Sequence, residues 1–187
     1  MTDAFPKPVR HFGFLLMFAL CVGPLQSATL ERLSLDDMIR ESTAIVRGTI
    51  AGSHTTQQGP LIYTHYTLQV SESLKGSPQA TVDFVVPGGV ANNIRQTFAG
   101  APEFHQGGNY VLFLWTGSSG LTHIIGLTQG IFSLSPGASG DLVATRSASQ
   151  EVMLDHATAR QVKDETVVMN LSDLRSRIAS TLAGSGK

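Results

Sequence analysis

Apolar and polar positions alternate along most of this chain, and the alternation has a period of two. Ile62 to Leu74 shows it best. Ile62, Tyr66, Leu68, Val70 and Leu74 form an apolar line broken by Thr64 and Glu72, while Tyr63, His65, Thr67, Gln69, Ser71 and Ser73 form a mostly polar one. This predicts a strand with one dry face, whose register is firmly set because a one-residue slip would turn every side chain over. The stretch would span roughly 40 Å if straight, so a bend or bulge of the kind used in small barrels is expected. Ala44 to Ile50 alternates in the same way, with Ala44, Val46, Gly48 and Ile50 on one side. In Gln79 to Val86, Ala80, Val82, Phe84 and Val86 point inward. Asn109 to Trp115 departs from the pattern, with an unbroken apolar run from Tyr110 to Trp115 between Gly107-Gly108 and Thr116 to Gly120. A run this short between turn signals predicts a central strand covered on both faces. Leu121 to Ile125, Gln129 to Leu134 and Asp141 to Arg146 are further short strands, with Gly126 as a corner between the first two.

Two segments have helical spacing instead. Ser34 and Asp37 supply an N-cap and a first-turn acid before Leu35, Met38 and Ile39, which predicts a helix over Leu35 to Glu41. Leu171, Leu174, Ile178 and Leu182 mark one face of a second helix that starts at Asn170 and stops at Gly184, leaving Ser185 to Lys187 frayed. Val152 to Leu154 and Thr166 to Met169 are short apolar patches suited to edge strands. Gly52 to Pro60 is read as a polar loop, and Val90 to Gly108 as a long irregular one of the kind often functional.

Together these elements predict a mainly β protein: a small, closed or partly closed antiparallel barrel of OB-like type, with a short N-terminal helix and a C-terminal amphipathic helix. The expected interior is Val46, Ile50, Ile62, Tyr66, Leu68, Val70, Val82, Phe84, Val86, Val111, Phe113 and Ile131. The helices are expected to cover the second faces that this list leaves bare. Residues 29–146 would form the barrel domain and 147–187 a C-terminal extension whose helix packs on it.

Residues 1–28 are expected to leave before folding. Lys7, Arg10 and His11 precede an uncharged run from Phe12 to Gly23, and Pro24 to Ala28 adds a helix breaker and small residues. That is the pattern of a signal peptide cleaved after Ala28, and the run is shorter than the roughly 20 apolar residues of a spanning helix. The alternative, acylation at Cys21, has Leu20 where a small residue belongs. Losing Lys7, Arg10 and Asp3 moves the formal net charge from −1 to −2, and losing Cys21 leaves no cysteine. An exported chain without disulfides suggests the bacterial periplasm or a secreted protein. With no basic stripe, nucleic acid is not an expected partner, and no second apolar run calls for a membrane after cleavage.

Three segments carry a resemblance. They are Ser42-Thr-Ala-Ile-Val-Arg-Gly-Thr-Ile50 after a helix, Tyr66-Thr-Leu-Gln-Val-Ser-Glu-Ser-Leu-Lys-Gly76, and Pro102-Glu-Phe-His-Gln-Gly-Gly-Asn-Tyr-Val-Leu-Phe-Leu114. Over Leu33 to Leu134 the chain resembles a group of uncharacterised exported bacterial proteins. Their pattern is similar to the netrin-like, tissue-inhibitor-of-metalloproteinase type of OB-fold. The resemblance implies a fold. Metalloproteinase inhibitors of that type place an N-terminal cysteine on the target zinc, and the start expected here is Thr29, so that chemistry transfers to no residue of this chain.

No catalytic set stands out. Gly117-Ser-Ser-Gly120 and Gly137-Ala-Ser-Gly140 lack nucleophile-elbow spacing, and Gly184-Ser-Gly-Lys187 lacks the upstream glycine and following hydroxyl of a phosphate loop. His54, His65, His105, His123 and His156 are scattered. Glu103 and His105 come nearest to a ligand pair: in a strand they would share a face, and His65 or His123 could complete a zinc-type site for a metal-assisted hydrolase. Tyr63, His65 and Thr67 offer an outer-face ligand platform of the kind OB-folds use, against the simpler reading of a wetted face or one covered by the C-terminal helix. Asn170-Leu171-Ser172 is a glycosylation sequon only in a eukaryotic source. The reading these residues favour is an exported, non-catalytic domain without cofactor or metal, holding a protein or envelope partner through its loops. The alternatives are the hydrolase built on Glu103 and His105, or a metalloprotease inhibitor by fold analogy alone.

Overall fold

The computed structural model describes residues 29–138 and 140–184. The signal peptide expected over 1–28 and the frayed end expected over 185–187 lie outside the described residues, as does Ser139 of the Gly137 to Gly140 turn. The chain runs β1 (Thr29–Arg32), α1 (Leu35–Glu41), β2 (Ala44–Gln58), β3 (Leu61–Lys75), β4 (Thr81–Pro87), β5 (Gly89–Ala91), β6 (Ile94–Gln96), β7 (Asn109–Thr116) and β8 (Thr122–Ile124). It continues through β9 (Ile131–Pro136), β10 (Leu142–Arg146), β11 (Val152–Asp155), β12 (Gln161–Val162), β13 (Val167–Asn170) and α2 (Leu171–Gly184). Among the described residues no helix is long and apolar enough to cross a membrane.

The fold is mainly β, and five of its strands close on themselves. β7 pairs with β2, β2 with β3, β3 with β4, β4 in parallel with β8, and β8 returns to β7. This five-membered ring is the small closed sheet that the alternation predicts, except that its closing β4–β8 pair is parallel where an antiparallel barrel is expected. β7 holds it together because its free edge is shared: Tyr110 to Leu112 pair with β9, and Leu114 to Thr116 with β8. From β9 the sheet runs out through β10 to β13, so the C-terminal extension joins the barrel's own sheet. The bend expected of the long strand is built by three register shifts between β2 and β3, between Ile45 and Val46, Arg47 and Gly48, and Ile50 and Gly52. Gly48 lies at one of them. A Cβ there would meet the Gln69 carbonyl and the Leu68 side chain, so the two strands come this close only over glycine.

Two apolar cores fill the molecule where one interior was expected. The barrel core holds Val46, Ile50, Tyr66, Leu68, Phe84, Val86, Phe104, Leu112, Leu114 and Ile124, with Val70, Val82 and Ile131 packed at its margin. The second core lies on the outside of the sheet, where Met38 and Ile39 of α1 and Leu171, Leu174 and Ile178 of α2 cover Ile45, Val111, Phe113, Phe132 and Ala144. Val111 and Phe113 therefore face the helices, while Leu112 and Leu114 face the barrel. Strict alternation along β7 requires this, and all four are fully buried. The two-faced burial expected of this strand thus holds from Val111 to Leu114, but Trp115 is 47% exposed because the cover ends before it.

Helix α1 has the expected limits and a complete capping box: the Asp37 N–H donates to Ser34 Oγ at 3.1 Å, and the Ser34 N–H to Asp37 Oδ2 at 3.3 Å. Lys75 closes its far end, donating to the carbonyls of Ile39 at 2.8 Å and Arg40 at 2.7 Å. Arg177 of α2 forms a two-pronged ion pair with Asp36 of α1. The tail is tied down by a buried pair, with Arg146 Nη2 at 2.8 Å from Asp164 Oδ1 and Asp164 Oδ2 also accepting from the Ser149 N–H at 2.8 Å. Burial pushes the Asp164 carboxyl upward, but those hydrogen bonds and the Arg146 charge outweigh it, and the net shift is downward.

Two loop expectations are corrected. Gly52 to Gln58 continues β2, in register with Leu61 to Thr67 of β3. Backbone pairing carries this hairpin past the barrel, where exposed side chains need not alternate. Its polar composition therefore resembles that of a loop. Within Val90 to Gly108, β5 and β6 form a small hairpin turned by Asn92 and Asn93, both at positive φ (51° and 60°), as a tight two-residue hairpin turn requires.

Candidate binding surfaces

The first candidate surface is the β5–β6 arm with the loop that follows it. The arm lies against the extended β2–β3 hairpin. Thr55 Oγ1 donates to the Val90 carbonyl at 2.6 Å, the Ile62 N–H to Gln96 Oε1 at 2.7 Å, and Asn92 Nδ2 to Gln57 Oε1 at 2.9 Å. Gly89 makes the approach possible: at φ 134° a Cβ there would sit 2.7 Å from both Thr55 Cγ2 and Thr64 Oγ1. Past the arm, Phe104 plugs the end of the barrel, its ring 5.0 Å from Tyr66, 5.2 Å from Phe84 and 5.1 Å from Tyr110, each edge-on.

Between the arm and the plug lies a cleft of about 220 Å³, lined by Arg95 to Phe98, Ala101 to His105, Thr64, Tyr66 and Val86 to Gly89. It is smaller than the roughly 300–1,000 Å³ of small-molecule sites, and fits a side chain better than a cofactor. Val90, Ile94 and Phe98 on and beside the arm are exposed at 45%, 53% and 37%. The charged and aromatic residues of Val90 to Gly108 thus gather around a concavity.

The ligand set proposed for a metal does not assemble there. Glu103 and His105 lie in an irregular segment and not in a strand, and they project to solvent on either side of the buried Phe104. They share the cleft, but His65 does not join them. Thr64 and Tyr66, which line the cleft, point to the opposite face of β3, and His123 lies on the same outer face as His65. His156 is far along the tail, paired with Glu31. Among the described residues no three His, Cys, Asp or Glu side chains are gathered closely enough to hold a metal ion.

The second surface is the outer face where His65 does lie. Cross-strand registers place His54 opposite His65, His65 opposite Val85, Val85 opposite His123, and His123 opposite Trp115. These five residues make one row across the five strands of the ring. The His54 and His65 rings stack at 4.9 Å, and His123 lies 6.3 Å from Trp115 and 6.4 Å from Tyr63. Tyr63 and Thr67 flank the row, with Thr67 Oγ1 donating to Asp83 Oδ1 at 2.6 Å. Thr56 Oγ1 is 2.7 Å from His65 Nε2. Burial and the neighbouring His54 lower the pKa of His65 despite Asp83, and burial lowers that of His123. The C-terminal helix does not cover this patch. α2 reaches β3 only at its far end, where Arg175 bonds Glu72 and Leu74 packs beside the helix core.

Sequence reasoning named Tyr63, His65 and Thr67 but missed His54, His123 and Trp115 as their neighbours. His54 falls in the expected polar loop and Trp115 in the expected core run. Only the strand register brings them together, and single-strand periodicity does not contain it. Comparison with family models, curated proteins and solved structures gave no match.

Proposed function

We propose that this chain is an exported, non-catalytic binding domain that holds a protein partner through the β5–β6 arm and the loop over 97–105. The observation that carries this reading is where exposed apolar surface is concentrated. Of the five large hydrophobic residues exposed among the described residues, Val90, Ile94 and Phe98 fall within one short segment, beside a cleft of side-chain size. Such residues, set among polar ones, mark protein contact sites when they cluster. Arg95, Glu103 and His105 at the cleft would supply the polar rim. Export rests on the Met1 to Ala28 pattern, and sequencing the mature N-terminus would test it, with Thr29 expected first.

A photo-crosslinking side chain placed at Ile94 or Phe98 in living cells tests the contact. An adduct of one defined mass is expected at both positions and none at Val168, which is 62% exposed on the far edge strand. Equal labelling at all three positions, or none at any, would sink the proposal.

A further inference from the structure

Beside the arm, the backbone of β2 is left unpaired along one side. We infer that Gly52 to Gln58 of β2 pairs antiparallel with the same segment of a second copy of this chain, about a two-fold axis at Thr55. Three observations support this.

The edge is open. β7 pairs with β2 as far as Thr49, and Gly107 and Gly108 make the last bonds to the barrel at Ile50. From Gly52 onward β2 has β3 on one side and no strand on the other. Alternation shows which groups face out. Ile62 donates its N–H to Gln96, and its carbonyl accepts from the Gly88 N–H, on the side away from β2. Gln57, paired with Ile62, therefore turns its own N–H and carbonyl away from β3. The same parity holds for Thr55 and Ser53, opposite Thr64 and Tyr66. Among the described residues none bonds these outward groups, and Ser53, Thr55 and Gln57 are all exposed.

The edge lacks the devices that keep strands apart. Lysine, proline, a bulge or a covering segment normally blunts such an edge. Gly52 to Gln58 contains no charged residue and no proline, and its pairing with β3 has no register shift. The arm lies over one face, where Thr55 Oγ1 donates to the Val90 carbonyl, and no backbone bond joins it to β2.

The segment is complementary to itself. A two-fold axis at Thr55 sets Thr55 opposite Thr55, Ser53 opposite Gln57 and His54 opposite Thr56. Every outward-facing residue then meets another, as a hydrogen-bonded ladder requires. No like charges oppose each other, and hydroxyls and amides face one another. The length fits as well. Gly52 of one copy lies beside Gln58 of the other, so each barrel begins where the opposite hairpin turns at Gly59 and Pro60. Neither barrel intrudes on the shared strands, and the contact closes on itself. An unrelated extended peptide would gain the same backbone bonds, but the side chains of this edge offer it no charge to select it.

The contact is small, so the association is weak and is sought up to millimolar concentration. Amide exchange of the purified chain, followed by nuclear magnetic resonance, reads it residue by residue. From micromolar to millimolar concentration, exchange at Ser53, Thr55 and Gln57 should slow about tenfold. His54 and Thr56, whose N–H groups point to β3, should not change. Sedimentation should show the mass doubling over the same range. Ser53→Pro removes an outward N–H and no bond within the chain. His54→Glu with Thr56→Glu leaves the backbone intact and sets acids opposite each other across the axis. Each should weaken the dimer about tenfold or more, with dichroism and melting confirming that the variants fold. Three results would each overturn the inference: a monomer at millimolar concentration, a dimer that survives both variants in folded protein, or protection that grows at other amides and not at these three. The crosslinks at Ile94 and Phe98 should persist in the Ser53→Pro chain, so the edge and the arm are tested separately.

Discussion

The outer face of the barrel has two halves built on the same strands. On one, Ile45, Val111 and Phe113 are fully buried beneath α1 and α2. On the other, exposed part lie His54 and Trp115, which continue those same two antiparallel strands in opposite directions beyond the covered stretch. Three register shifts bend β2 between Ile45 and His54, yet both stretches stay paired with β3 in the same sheet. What changes is the cover, and the residue types follow it: aliphatics and Phe where helices press down, imidazole, indole and phenol where the sheet meets water. A sheet face left open that carries rings instead of charges is a surface suited to recognition.

The largest expected effect comes from loosening the cover's attachment. Asp164→Ala leaves Arg146 buried without its anion, and about 3–5 kcal/mol of stability should be lost, read as a fall in the urea midpoint. A midpoint within error of the wild type would show that the tail does not hold the helices in place. Next comes the helix core itself. Leu174 is fully buried between α2 and the sheet, and Leu174→Ala should cost about 2–5 kcal/mol. On the bare half the same truncation should be nearly silent: His54→Ala is expected to change stability by less than about 0.5 kcal/mol. Equal losses from Leu174→Ala and His54→Ala would erase the distinction between the halves.

The smallest effect is a difference in pH response. His65 and His123 have pKa values lowered from 6.5. As pH falls below 6.5 the unfolded chain takes up protons first, so stability is full above 6.5 and declines until the folded pKa values are passed. On the covered half, the Arg177 hydrogen bond leads the interactions that lower the Asp36 pKa from 3.8. Its contribution is therefore present above 3.8 and lost only as pH falls through the folded value. Replacing both histidines with Asn should flatten the stability profile just below 6.5 and leave the acid limb unchanged. An unaltered slope in the first window would remove the histidines as its source.

Much of the barrel was legible because its signals are local. Ser34 and Asp37 define a helix start within four residues, and the Ile62 to Leu74 alternation defines a face without reference to any partner. The extension of β2 through Gly52 to Gln58 was not legible, since a strand whose side chains all meet solvent keeps its place through backbone pairing, which leaves no mark on side-chain type. The β5–β6 arm was hidden for a related reason: two three-residue strands are too short to show a period, though Asn92-Asn93 carried the turn signal. Glu103 and His105 fall in the irregular segment that the sequence indicates, so the shared face they would have in a strand does not arise; the residue between them, Phe104, plugs the barrel instead.

The amino-acid order alone determined the type of each long element, the inward face of β3 and β4, the limits of α1 and the burial of β7 on both sides. These follow from periodicity and capping, which act over a few bonds. Tertiary structure alone decided that β7 divides its apolar residues between two cores, that the cover stops short of Trp115, and that three distant histidines meet in one row. Those outcomes depend on register and on which elements pack across the sheet. Both are set by contacts between residues far apart in the chain, which no single segment encodes.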